Sequence, residues 1–121
     1  MIKAIRGAIT VESNTTDAIK EATVELFQEI LTSNSLIPSD IAYMIFTATK
    51  DLTKAYPAKF IRTELNITDI PMMCEQEMNV DGSLEMAIRV LVVLADCDAE
   101  KKINHVYLKG AKKLRPDLSL S

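Results

Sequence analysis

Residues 1–32, MIKAIRGAITVESNTTDAIKEATVELFQEILT, set a strand beside a long helix and decide the class of fold. Met1 to Val11 is rich in Ile and Ala, with Gly7 placed where a side chain would crowd a neighbour, and it reads as an opening strand. Thr15, Thr16 and Asp17 supply capping oxygens and a negative first turn for a helix running to about Thr32. Ile19, Ala22, Leu26 and Ile30 recur at spacings of three and four and form its apolar face, while Lys20, Glu21, Glu25, Gln28 and Glu29 lie toward water. Such a helix can cover one face of a sheet.

The remaining segments supply that sheet. Pro38, Ser39 and Asp40 start a short turn, and the apolar, β-branched run Ile41 to Thr49 reads as a strand covered on both faces. Leu52 to Leu65 is expected to be a second helix, interrupted near Pro57 because proline lacks a backbone donor. Ile70 to Glu75, Ala87 to Leu94 and His105 to Lys109 read as further strands, with Asp81 and Gly82 as a turn. The expectation is an α+β chain, one domain over residues 1–121, with a mixed five-stranded sheet, one long helix and one or two short ones. So few helices leave one sheet face bare, which points to packing against other subunits.

Composition bounds the function. A chain of 121 residues buries roughly two thirds of its unfolded surface and needs neither metal nor disulfide to fold. A net charge of −3 with scattered basic residues argues against nucleic acid as the main partner, since phosphate backbones call for a concentrated positive face. Cys74 and Cys97 stand in neither CxxC nor zinc spacing and read as unpaired thiols in a reducing compartment. The N-terminal segment is too polar for a secretion signal and no run approaches a membrane span, so a cytoplasmic protein with no membrane contact is expected.

Against this background a few polar residues stand out among apolar ones: Arg6 in MIKAIRGAITVE, Cys74 and Glu77 in PMMCEQEM, Arg89 in MAIRVLVVLAD, and Tyr107 in INHVYLKG. A guanidinium in a buried strand costs several kcal/mol unless an anion or acceptor answers it, so two such arginines suggest a local site for an anionic ligand. Each has a plainer reading. An arginine in an apolar strand also serves structural ion pairs, and Glu77 is the obvious partner for Arg89. Cys74 fits a small core residue, Tyr107 a packed ring, His105 a surface or packing role, and Met72, Met73, Met78 and Met86 core filling.

The fragments IRGAITVE, TKDL, YPAKFIR, PMMCEQEM, IRVLV and HVYLKGAKKLRPDLS, in this order and over nearly the whole length, resemble the monofunctional chorismate mutases of the bacillus type. The resemblance implies a homotrimer with a pseudo-α/β barrel at its centre and active sites in the clefts between subunits. It implies the rearrangement of chorismate to prephenate, with no cofactor and no metal. Arg89 matches the residue that donates to the ether oxygen. Arg6 and Tyr107 match carboxylate-binding residues, and Glu77 and Cys74 match those near the ring hydroxyl. Tyr56, Ala58, Lys59 and Arg62 would come from a neighbouring subunit, Met72 and Met73 would lie along the substrate strand, and Leu114 and Arg115 would approach the cleft from a tail that is mobile without ligand. Two positions depart from the family pattern: Tyr56 stands where Phe is usual, and Met73 where Thr is common.

A different class remains open at this stage. Small trimers of similar shape, deaminase-like or non-enzymatic, bind carboxylate metabolites in intersubunit clefts. The four cations Arg6, Lys59, Arg62 and Arg89 favour a dicarboxylate over the single charge such a trimer would answer. A regulatory module without a ligand would leave both strand arginines unexplained.

Overall fold

A computed structural model describes residues 1–114. Its elements are β1 (Lys3–Thr10), α1 (Thr16–Ser33), β2 (Ile41–Ala48), α2 (Pro57–Thr63), β3 (Met72–Gln76), β4 (Ala87–Leu94) and β5 (Val106–Leu108), with short 3-10 turns at Pro38–Asp40 and Lys109–Lys113. The five strands form one mixed sheet in the order β3-β2-β4-β1-β5. β4 lies at its centre, antiparallel to both β1 and β2, while β3 and β5 add in parallel at the two edges.

Local chemistry explains the boundaries. The Thr15 hydroxyl accepts the Ala18 N–H at 3.1 Å, caps α1, and Asp17 lies in its first turn. α1 buries Ile19, Ala22, Thr23, Leu26, Phe27 and Ile30, and the Thr23 hydroxyl is satisfied by donating to the Ile19 carbonyl at 2.8 Å. Full burial of each large apolar side chain in this row contributes roughly 1.5–3 kcal/mol. Asp81 and Gly82 do form a turn, and Gly82 adopts the φ of +79° that its missing Cβ allows.

Three expectations need correction. The second helix does not begin at Leu52: Pro57 opens it rather than interrupting it, because a first-turn position requires no backbone donor, and residues 52–56 are irregular. β2 is not covered on both faces. Met44 and Phe46 are buried under the helices, whereas Tyr43 is exposed and Ile45 and Thr47 half-exposed, so the alternation is that of a strand with one open face. Arg6 is likewise exposed and Arg89 only partly covered, so neither guanidinium is sealed in the core of the chain.

The sheet therefore has two unlike faces. Ile5, Ile9, Ile88, Val90, Val92, Leu94, Met44 and Phe46 pack with α1 and α2 in one core. The opposite face carries Arg6, Ala8, Tyr43, Ile45, Thr47, Met73, Arg89 and Leu91; Ala8 and Tyr107 are covered there by Ala111 and its neighbours Leu84 and Leu114, and Ala87 and Val93 are buried at the two ends of β4. α1 approaches β1 closely at Gly7, where a Cβ would stand 2.7 Å from Ile30 Cδ1, 3.1 Å from Val90 Cγ1 and 3.2 Å from Leu26 Cδ1. Since these neighbours are themselves buried, Gly7→Val is expected to lower stability by about 2–3 kcal/mol, measurable as a lower denaturant midpoint with unchanged m. A midpoint equal to wild type would show that the helix can lift at no cost.

Candidate active site

The open face gathers the polar residues that the sequence singled out. β1 and β4 pair with Ala8 opposite Arg89, and β1 and β5 pair with Ala8 opposite Tyr107, so three neighbouring strands aim Arg6, Arg89 and Tyr107 at one place. Together with Leu114, these side chains line a hollow of about 190 Å³. Glu77 joins the group from the far side: β2 puts Thr47 opposite Arg89, and the Thr47 hydroxyl donates to Glu77 Oε1 at 2.7 Å.

That same oxygen lies 3.0 Å from Arg89 Nε, which makes the ion pair of the plainer reading real. Its geometry is imperfect. The Nε atom is enclosed, and its N–H points far enough off the carboxylate to leave it without a hydrogen bond among the described residues. With a carboxylate oxygen 3.0 Å away the enclosed Nε keeps its countercharge, while the side chain as a whole stays 40 % exposed and lines the hollow. Arg89 is thus paired with Glu77 and still open to the hollow.

The start of β4 is fixed by a second polar cluster. Both Asp51 carboxylate oxygens accept from the Met86 N–H, at 3.2 and 3.0 Å, while Thr49 Oγ1 donates to Asp51 and accepts from the Ala87 N–H at 3.0 Å. Met86 is thereby held at φ +51°, a conformation unfavourable for a side chain of its size, three residues before Arg89.

A larger cleft, about 580 Å³, opens along the β2–α2 loop and is lined by Tyr56, Lys59, Cys74 and the loop residues Thr49, Lys50 and Leu52 to Ala55 among others. Ala58 and Arg62 border Cys74 from α2. Burial pushes the Cys74 thiol up, against the opposing pulls of a backbone hydrogen bond from Ala58 and the Arg62 guanidinium. A neutral thiol is therefore expected at pH 7 to 8, with slow alkylation by iodoacetamide, and Cys74→Ser should hold kcat within a few-fold of wild type. Rapid alkylation accompanied by complete inactivation would contradict this.

Cys74 and Arg89 face opposite sides of the sheet. Cys74 stands opposite Phe46, which belongs to the core, whereas Glu77 and Thr47 lie on the open side with Arg89. The structure thus forms two sets within one chain. Arg6, Arg89, Tyr107, Leu114 and Glu77 make one; Tyr56, Ala58, Lys59, Arg62 and Cys74 make the other. Met72 packs against the core, Met73 is 59 % exposed on the open face, and Arg115 lies outside the described residues. Two contributors escaped the sequence reading. Thr47 is visible only through the register that sets it opposite Arg89, and His105, whose Nδ1 accepts the Arg6 N–H at 2.9 Å, only through the pairing of the chain's two ends.

Among the described residues no helix is long and apolar enough to cross a membrane. Comparison with known proteins agrees with the geometry. The family profile "Chorismate mutase type I" matches residues 2–118. The curated chorismate mutase AroH of Bacillus subtilis is 40% identical over 121 residues, all of this chain and 95% of its own length. Its Thermus thermophilus namesake is 42% identical over 119 residues, 98% of this chain and 97% of that protein. Among solved structures, a chorismate mutase from Clostridium thermocellum superposes with a TM-score of 0.87 at 45% identity, covering 92% of this chain and 98% of the other. With identity at this level along the full length, and with the strand arginines facing one hollow, the chain belongs to the type I chorismate mutases.

Proposed function

We propose that the chain converts chorismate to prephenate as a cytoplasmic homotrimer, with each active site assembled from two subunits. The reaction is a unimolecular Claisen rearrangement, in which the ether C–O bond breaks as a new C–C bond forms. No proton, electron or acyl group is transferred, so the chemistry itself asks for no nucleophile, metal or redox cofactor. Catalysis has two tasks: to hold the dicarboxylate in its folded conformer, and to stabilise the charge that separates when bond breaking runs ahead of bond making. A rate gain of about 10⁶ needs roughly 8 kcal/mol of preferential transition-state stabilisation.

Arg89 is assigned to the ether oxygen, which grows more negative in the transition state, with its partly exposed side chain lining the hollow beside Arg6 and Tyr107 as the supporting feature. Arg6 and Tyr107 receive a substrate carboxylate, and Glu77 balances positive character on the ring while keeping Arg89 in place. Tyr56, Ala58, Lys59, Arg62 and the strand around Met72, Met73 and Cys74 complete the cleft from the adjacent subunit, and Leu114 and Arg115 flank its mouth.

One observation carries the two-subunit arrangement. The hollow holding both strand arginines is about 190 Å³, below the roughly 300–1,000 Å³ usual for ligand pockets, and it opens on the sheet face left bare by the helices. Tyr43 and Met73, 43 % and 59 % exposed on that face, are the apolar surface that a second copy would cover, closing the sheets into a barrel. The protein should therefore run near three times 13.5 kDa at micromolar concentration, and an active monomer by light scattering would defeat the shared site. The activity itself is tested by the loss of chorismate absorbance on adding purified, chelator-treated protein, with prephenate identified as product. Unchanged chorismate, or a need for added metal, would overturn the reading.

A further inference from the structure

We propose that His105 is a positioning residue for Arg6, setting the direction of its guanidinium through the main chain rather than through any contact with substrate; this rests on the function proposed above. β5 is only three residues long, and its ladder with β1 begins at the pair Gly7 and Val106. Arg6 thus sits just beyond the paired stretch, where its backbone N–H has no β5 carbonyl to meet. The His105 ring fills that place: Nδ1 accepts the Arg6 N–H at 2.9 Å, across 99 residues of sequence. An acceptor at Nδ1 means that the ring carries its proton on Nε2.

The consequence falls on the side chain of Arg6. Its guanidinium stands at the end of a long flexible stem, exposed on the open face, beside Arg89 and Tyr107. Among the described residues no hydrogen bond or ion pair clamps that stem, so its aim depends on the direction of the Cα–Cβ bond and hence on the tilt of the peptide at Arg6. The β4 ladder holds one edge of β1 along its whole length, with Arg6 opposite Leu91; on the β5 edge the His105 acceptor is what fixes the Arg6 peptide, and without it that edge is left unpaired there. A misplacement of about 1 Å in a substrate-holding group can cost about 100-fold, so a single main-chain hydrogen bond can govern binding of a carboxylate.

Histidine is not the only group able to serve. Asparagine Oδ1 is the same number of bonds from Cα as histidine Nδ1, whereas glutamine Oε1 is one bond further. His105→Asn should keep both constants within about twofold of wild type, and His105→Gln should raise KM for chorismate about tenfold with kcat within about twofold, because Arg6 holds the carboxylate equally in ground and transition states. Melting curves of both variants serve as the control. Equal constants for Asn and Gln, whether both normal or both impaired, would overturn the proposal. So would a loss in kcat at unchanged KM with a lowered melting temperature, the pattern of a purely structural residue that reduces the active fraction. A wild-type protein that leaves chorismate unchanged fails the function proposed above and this inference together, whereas active wild type with indistinguishable variants removes this inference alone.

Discussion

Arg89→Lys is expected to give a folded, assembled protein whose kcat is lower by about 1,000-fold. The estimate follows from the loss of one preorganised charge-assisted donor in a dry site, worth roughly 2.7–4 kcal/mol. Lysine keeps the charge but replaces a planar fork with a compact ammonium on a different stem. It cannot at once pair with Glu77, as Arg89 Nε does, and present further donors to the hollow. The ion pair itself predicts a different outcome. If Arg89 served only to neutralise Glu77, lysine would restore much of that pairing, and the variant would melt lower while its folded fraction turned over normally. Measuring melting temperature, mass and kcat on one sample separates the two. A destabilised but active Arg89→Lys would remove Arg89 from the reacting centre.

Glu77→Ala should be nearly as damaging, with kcat down by about 100-fold or more, since on the proposed assignment it takes away the charge that balances the reacting ring, and with it the partner of Arg89. Glu77→Gln keeps the shape and can still accept from the Thr47 hydroxyl, and should therefore lose less. The order wild type, Gln, Ala, with the losses mainly in kcat, is the expected result. An Ala variant as active as wild type would return Glu77 to a structural role and leave the Arg89 pairing without catalytic meaning.

The sequence made the elements legible wherever a local rule governs them. Thr15 to Asp17 mark the start of α1, the three- and four-residue spacing of Ile19, Ala22, Leu26 and Ile30 marks its buried face, and Gly7 marks the close approach of β1 to that helix. What escaped is non-local. Pro57 has the same sequence signature whether it breaks a helix or begins one, and only the path of residues 52–56 along the cleft decides. The run Ile41 to Thr49 is apolar on both of its faces for two different reasons, core on one and open surface on the other, and hydrophobicity alone does not separate them. Among the site residues, Arg6, Arg89 and Tyr107 were identifiable as polar intrusions into apolar strands and do share a hollow. Cys74 was visible by the same signal, yet strand alternation turns it to the other side of the sheet. Thr47 and His105 carry no local mark, because their roles arise from cross-strand register and from pairing between distant parts of the chain.

The position of β1 between β4 and β5 has a consequence for the order of events during synthesis. Of the five strands the earliest made is the one whose two neighbours, β4 and β5, are made last, and its pairing with β5 joins Gly7 to Val106. Until then its backbone donors and acceptors have no ladder, and its apolar side must rest on α1 alone. Closure of the sheet is therefore a late step that carries the entropic cost of joining segments distant in sequence, which predicts slow folding for a chain of this size. The step that completes the sheet is also the one that brings Arg6 and Tyr107 together, so the chain acquires the hollow lined by both arginines only as it finishes folding.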